Sequence, residues 1–216
     1  MTGNSNEAAL TSTLLQNIEV ALAAGVDWVQ VREKDLQGGQ LLEVGRLAVG
    51  LAAVHREKTE PAPRIIINDR LDVALAAGAH GVHLGGESAR AYEVVRWCRA
   101  GNAPNGFVIG ASCHSIEEAR EAGNAKADYI LLGPVFETPS KLHFGAPQGL
   151  QTLSEVCRAV LMPVVAIGGV SQENAAVCIR AGAVGIAAIR MFQESPDTRA
   201  ITESVASIHE LRGKEL

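Results

Sequence analysis

Three helical stretches of this 216-residue chain end in Ala-Gly, at Ala24-Gly25, Ala77-Gly78 and Ala181-Gly182, and an apolar strand closely follows each. Glycine closes a helix well because it accepts the left-handed conformation just past the last turn. One strand–helix unit is being reused, and repeated units with short connections dictate a parallel sheet. Periodicity gives a leading helix from about residue 10, carrying Leu14, Ile18 and Leu22, then a strand ending at Lys34, a helix at 40–55 and a strand at 65–67. Helices at 71–78, 88–99, 115–123, 149–160 and 172–181 then alternate with strands at 80–84, 106–111, 127–132, 163–167 and 184–188, before a last helix to about 211.

Seven strands result, each followed by a helix, one short of a closed eight-stranded barrel. Residues 1–9 are small and polar and hold nothing strand-like, so they read as a disordered segment or a cap. The expectation is a single α/β domain over 10–216, a TIM (β/α)8-type barrel whose first strand is missing. An open doubly wound sheet competes. The barrel is favoured because apolar runs all around the chain end abruptly in polar groups, which suits a mouth that every strand reaches.

A net charge of -5 without a basic stripe argues against a nucleic-acid partner. Cys98, Cys113, Cys157 and Cys178 are far apart and form no C-x-x-C pair, which suits buried thiols in a reducing compartment. With no membrane-length apolar run and no basic-then-apolar start, a cytoplasmic protein is expected, with no membrane partner and room for a homo-oligomer.

Read as a strand, Val29-Gln30-Val31-Arg32-Glu33-Lys34 sends Gln30, Arg32 and Lys34 to one face and Val29 and Val31 to the other. Arginine offers phosphate a rigid fork and lysine a mobile point charge, so the trio suits an anion site as well as a solvated strand end. Asn68-Asp69 ends the next strand; Asp69 suits either a helix cap or, beside cations, a Mg²⁺ ligand whose remaining oxygens come from a phosphorylated substrate. His83 and His114 end two further strands, and Ser112 shares a face with His114. The loop of about sixteen residues from Gly133 holds Thr138, Ser140 and Lys141, two hydroxyls and a cation that suit a diphosphate. Ile167-Gly168-Gly169 and Ala188-Ile189-Arg190 follow the last two strands, where barrels often bind phosphate through backbone N–H groups.

Together these segments resemble the thiamine phosphate synthase family, which also contains the similar thiazole tautomerases. The resemblance rests on Gln-Val-Arg-Glu-Lys-Asp at 30–35, Ile-Asn-Asp-Arg at 67–70, Gly-Val-His-Leu-Gly at 81–85, Ser-Cys-His-Ser at 112–115, Ala-Asp-Tyr-Ile at 127–130 with Gly-Pro-Val-Phe-Glu-Thr-Pro-Ser-Lys at 133–141, and Ala-Ile-Gly-Gly-Val at 166–170. It implies a transferase that joins 4-amino-2-methyl-5-hydroxymethylpyrimidine diphosphate to thiazole phosphate, releasing diphosphate through a pyrimidine methylene cation. Carried over residue by residue, Arg32, Lys34 and Lys141 clamp the diphosphate, with Ser112 near it and the pyrimidine, Gln30 and Asn68 alongside, and Asp69 on Mg²⁺. Thr138, Ser140, Gly169 and the backbone around Ile189 would hold the thiazole phosphate. From their places at the strand ends, Gly168, Arg190, His83 and His114 are further candidate substrate-binding residues.

Two departures stand out. The synthases usually place a second acidic Mg²⁺ ligand shortly after His-Leu-Gly, where this chain has Gly86-Glu87-Ser88; Glu87 is the substitute, one position early. Arg190 stands where the family commonly has Ser. These departures keep alive a tautomerase, which needs no Mg²⁺ and would use His114, and a non-catalytic barrel that binds a phosphorylated ligand. The intact Arg32, Lys34, Asn68, Asp69 and Lys141 set favours the synthase.

Overall fold

A computed structural model describes residues 3–56, 62–138, 146–193 and 198–215, and the chain divides into two compact units. The first comprises Met1–Val82 with Phe192–Val205, the second His83–Met191 with Ala206–Leu216.

In the first unit, helix α1 (Gly3–Ala23) starts well inside the segment read from sequence as disordered or a cap. Strand β1 (Trp28–Val31), helix α2 (Gly38–Arg56), strand β2 (Arg64–Asn68), helix α3 (Leu71–Ala77) and the start of strand β3 (Gly81–Leu84) follow. The Ala-Gly punctuation behaves as expected: Gly25 has φ 87° and Gly78 φ 69°, and the Gly78 N–H bonds back to α3 carbonyls. Ile65, Ile66 and Ile67 are fully buried, with Leu22, Val44 and Ala48 from the covering helices. Gly45 lets α2 settle on α3, since a Cβ there would lie 3.0 Å from that of Ala77.

β1 is shorter than expected. Its parallel register with β2 runs from Trp28 opposite Arg64 to Val31 opposite Ile67 and stops there. Arg32 and Lys34 therefore follow the strand rather than extend it, and strand alternation no longer sets their direction.

The second unit continues with helix α4 (Ala91–Trp97) and a π-helical turn (Cys98–Asn102), strand β4 (Val108–Cys113), helix α5 (Ile116–Asn124), strand β5 (Tyr129–Leu132), helix α6 (Gly149–Ala159), strand β6 (Val164–Ile167), helix α7 (Gln172–Arg180), strand β7 (Gly185–Ala187) and the start of short helix α8 (Arg190–Gln193). Helix α9 (Thr198–Glu215) closes the chain. Ile130, Leu132, Leu153, Val156, Val164 and Cys178 form this unit's core. Asp128 pins its start: the Ile109 N–H donates to it at 2.7 Å and Arg99 at 2.5 Å.

Strand order in the sheet follows the sequence from β1 to β7, and the β1–β2, β4–β5, β5–β6 and β6–β7 pairs are parallel. Seven parallel strands among the described residues, each followed by a helix, make this a TIM-type α/β fold one strand short of eight. All four cysteines are unbonded; burial raises the Cys113 thiol to about 12 and those of Cys157 and Cys178 to about 11, so all three are inert thiols. Among the described residues no helix is long and apolar enough to cross a membrane.

His80 precedes β3 and accepts the Ile65 N–H on Nδ1 at 3.0 Å. Burial, then the charges of Arg64 and Arg56, lower its pKa below 6.5. The unfolded chain therefore takes up this proton first, so His80 adds stability above about pH 6.5 that is lost as pH falls toward its folded value. The urea midpoint should fall between pH 7.5 and 5.5, and His80→Asn, whose Oδ1 can accept the same N–H without titrating, should flatten that fall. An equal slope in both proteins would remove His80 from the account.

Candidate active site

In the first unit the polar groups sit where β1 and β2 end. The Gln30 side chain donates to Asn68 Oδ1 at 2.7 Å, and Asn68 Nδ2 donates to Asp69 Oδ2 at 2.6 Å. Adjacent strands thus hand one amide to the next and orient the carboxylate. Asp69 has φ 60°, in the left-handed region that Asp and Asn tolerate better than most side chains. The cap reading of Asp69 fails: α3 starts at Leu71, its N-cap is Arg70, and no side chain caps it. Arg70 is committed to Asp72 through two hydrogen bonds at 2.8 and 2.6 Å, and this contact holds the Asp72 carboxyl below its ordinary pKa. Arg32 and Lys34 are exposed, without an ion-pair partner among the described residues.

In the second unit, His83 of β3 has Nε2 at 2.9 Å from Ser112 Oγ of β4 and Nδ1 at 3.1 Å from the Tyr129 hydroxyl of β5. The parallel register sets Gly110 opposite Tyr129 and Ser112 opposite Leu131. A Cβ on Gly110 would lie 2.1 Å from Cζ of the tyrosine ring, so only glycine leaves room for that ring to tilt against the imidazole at 5.5 Å. Neither Tyr129 nor Gly110 stands out as a site residue in sequence. Their pairing becomes visible only with the β4–β5 register.

His114 follows β4. Its N–H donates to Glu118 Oε2 at 2.7 Å, its Nδ1 lies 3.2 Å from the same oxygen, and Ser115 caps α5 by accepting the Glu118 N–H. The carboxylate orients the imidazole, leaving Nε2 on the outer edge of the ring. In the next turn Ser88 accepts the Gly85 N–H at 2.7 Å, which shapes the turn, and Glu87 is exposed on it.

The segment after β5 lies against the segment after β6. Val135 N–H donates to the Ile167 carbonyl at 2.9 Å and Phe136 N–H to that of Gly168 at 3.0 Å. Gly168 has φ 91° and Gly169 φ 64°; a Cβ on either would come within 2.5 Å of Pro134 or of the Glu137 carbonyl. The glycine pair assigned to phosphate from sequence thus has a second, steric cause. Asn174 ties it to α7, accepting the Ser171 N–H at 2.8 Å and donating to the Gly169 carbonyl at 2.9 Å. Thr138 is buried, whereas Ile189 and Arg190 are exposed after β7. Ser140 and Lys141 lie outside the described residues.

A family profile described as thiamine monophosphate synthase matches residues 2–192. The chain belongs to this family. A thiamine-phosphate synthase of Methanoculleus marisnigri is 41% identical over 186 residues, covering 86% of this chain and 83% of that protein. That of Roseiflexus castenholzii is 36% identical over 201 residues, 93% of this chain and 83% of its own. The solved structure of a thiamine phosphate pyrophosphorylase from Pyrococcus furiosus superposes with a TM-score of 0.79 at 31% identity, over 94% of this chain and 90% of that one.

Among the described residues no three His, Cys, Asp or Glu side chains gather as a self-sufficient metal site. Mg²⁺ asks less of a protein when the substrate carries phosphates, because one or two carboxylates plus substrate and water oxygens complete its shell. The oriented Asp69 carboxylate is a hard oxygen donor of that kind and fits.

Gly110→Ala should cost about 1–3 kcal/mol, the range for overpacking a filled site, read as a lower urea midpoint. Wild-type stability in this variant would mean that the Tyr129 ring yields without cost.

Proposed function

We propose that the protein is a thiamine phosphate synthase, joining the pyrimidine diphosphate to thiazole phosphate and releasing diphosphate. The observation that carries this is the Gln30–Asn68–Asp69 chain, which presents an oriented carboxylate where β1 and β2 end. A reaction that separates a diphosphate from a carbocation needs the leaving charge neutralised, and it asks the protein for little covalent chemistry.

Arg32, Lys34 and Lys141 take the diphosphate oxygens as positive clamps, and Ser112 donates to it beside the pyrimidine. Gln30 and Asn68 orient Asp69 and meet the pyrimidine or diphosphate. On the sequence resemblance, Asp69 and Glu87 would be the carboxylates offered to Mg²⁺, which would neutralise charge on the leaving diphosphate. Thr138, Ser140, Gly168, Gly169, the backbone at Ile189 and the Arg190 guanidinium receive the thiazole phosphate. The carbon–oxygen bond breaks first, diphosphate leaves with the bonding pair, and that substrate's ring nitrogen then attacks the methylene cation. The unbonded thiols suit a reducing, cytoplasmic setting.

The oriented His114–Glu118 pair favours one second reading, a thiazole tautomerase with His114 as general base. The two readings part on metal and on mutation. Purified protein given both synthase substrates should form thiamine phosphate, followed as fluorescent thiochrome, with Mg²⁺ and not with EDTA; His114→Ala should keep turnover within about threefold, well inside the loss expected for a general base. Product in neither condition, from folded protein, would sink the synthase, and proton exchange on the thiazole carboxylate phosphate would replace it.

Lys141→Ala should lower turnover about a hundredfold, the scale of losing one preorganised charge-stabilising donor, while thiazole phosphate binding by calorimetry changes little. Equal loss of both would count against Lys141 in the clamp.

A further inference from the structure

Tyr129 and His83 are among the most deeply buried polar side chains of the second unit, 4% and 1% exposed. Groups at that depth need hydrogen-bond partners. These two meet each other at 3.1 Å, and the far nitrogen of the imidazole meets the half-buried Ser112 hydroxyl at 2.9 Å. Three strands therefore contribute one residue each to a continuous polar line from the interior to Ser112. The ring of Tyr129 fills space as a phenylalanine would. Its hydroxyl has a different task.

Burial keeps Tyr129 protonated by raising its pKa. A phenol O–H is a much stronger acid than a neutral imidazole N–H, which favours the phenol as donor and Nδ1 of a neutral His83 as acceptor across the 3.1 Å contact. Neutral imidazole carries one N–H, which this arrangement leaves on Nε2, facing Ser112 Oγ. The serine oxygen accepts there, and its own proton turns away from the histidine toward whatever acceptor the substrate brings.

We propose that Tyr129 is a positioning residue which, through His83, fixes Ser112 as a hydrogen-bond donor to an anionic oxygen of the diphosphate ester. This deepens the synthase reading and rests on it. Three bonds polarised in one direction reinforce one another, and all three point at the group that gains negative charge as the carbon–oxygen bond breaks. A donor of this kind acts on the transition state more than on the bound substrate, so its loss shows in kcat and little in KM. His83 is then a bridge, reaching substrate through Ser112.

Two measurements test this on the whole chain. In protein labelled with 15N-histidine, the His83 nitrogens should report the Nε2–H tautomer, and Tyr129→Phe should shift Nδ1 most; an Nδ1–H tautomer in the parent protein would overturn the proposal. In the synthase assay, Tyr129→Phe should lower kcat about tenfold, the effect of one lost hydrogen bond, with KM for both substrates within about twofold. Ser112→Ala should lower kcat at least as much, and the double variant should be no slower than Ser112→Ala alone. Losses that multiply in the double variant would make Tyr129 a packing residue and leave the synthase reading standing. Unchanged kcat in Ser112→Ala would remove the serine and Tyr129 together. A parent protein that forms no thiamine phosphate would take the synthase reading down first, and this proposal with it.

Discussion

Side chains in this protein reach their partners through the parallel ladder, whose two-residue alternation and fixed register decide what faces what. Gly110 opposite Tyr129 is the clearest instance. A large ring can enter only because its cross-strand neighbour has no side chain, and once in place the ring carries a hydroxyl to His83. Slipping that pair by one residue would turn Tyr129 to the other face and set Ser112 against a different neighbour. Register and chemistry are one specification here.

The first unit reaches a similar end by another route. Its strand-end groups are small amides and a carboxylate linked in series, the last of them on a left-handed residue. Asp69 sits at φ 60° just ahead of α3, and Arg70 takes the N-cap position without a capping side chain. The helix thus starts without its usual side-chain partner, while the Asp69 carboxylate is held by the Asn68 amide.

Much of this was legible in the chain because apolar runs and Ala-Gly stops are short-range signals. The seven strands, their parallel sense, the Gly78 helix stop and the turn into α5 at Ser115 follow from residues within one or two turns of each other. What escaped depends on distant partners. β1 ends at Val31 because its pairing with Ile67 ends there, so the placement of Arg32 and Lys34 on one strand face did not survive. A polar beginning hid the start of α1 at Gly3. Tyr129 looked like one more apolar strand residue, and the second cause for Gly168 and Gly169 lies some thirty residues upstream, in Pro134 and Glu137.

The backbone hydrogen bonds from Val135 and Phe136 to Ile167 and Gly168 carry the sheet's own pattern beyond its strands. Two loops that sequence treats as separate connections are thereby stitched into a single rim, with Gly168 and Gly169 seated too closely under Pro134 and Glu137 for any side chain. Such a rim cannot be edited piecemeal. Lengthening or regrafting one connection would unseat the other, so this corner of the molecule is open to redesign only as a matched pair of segments.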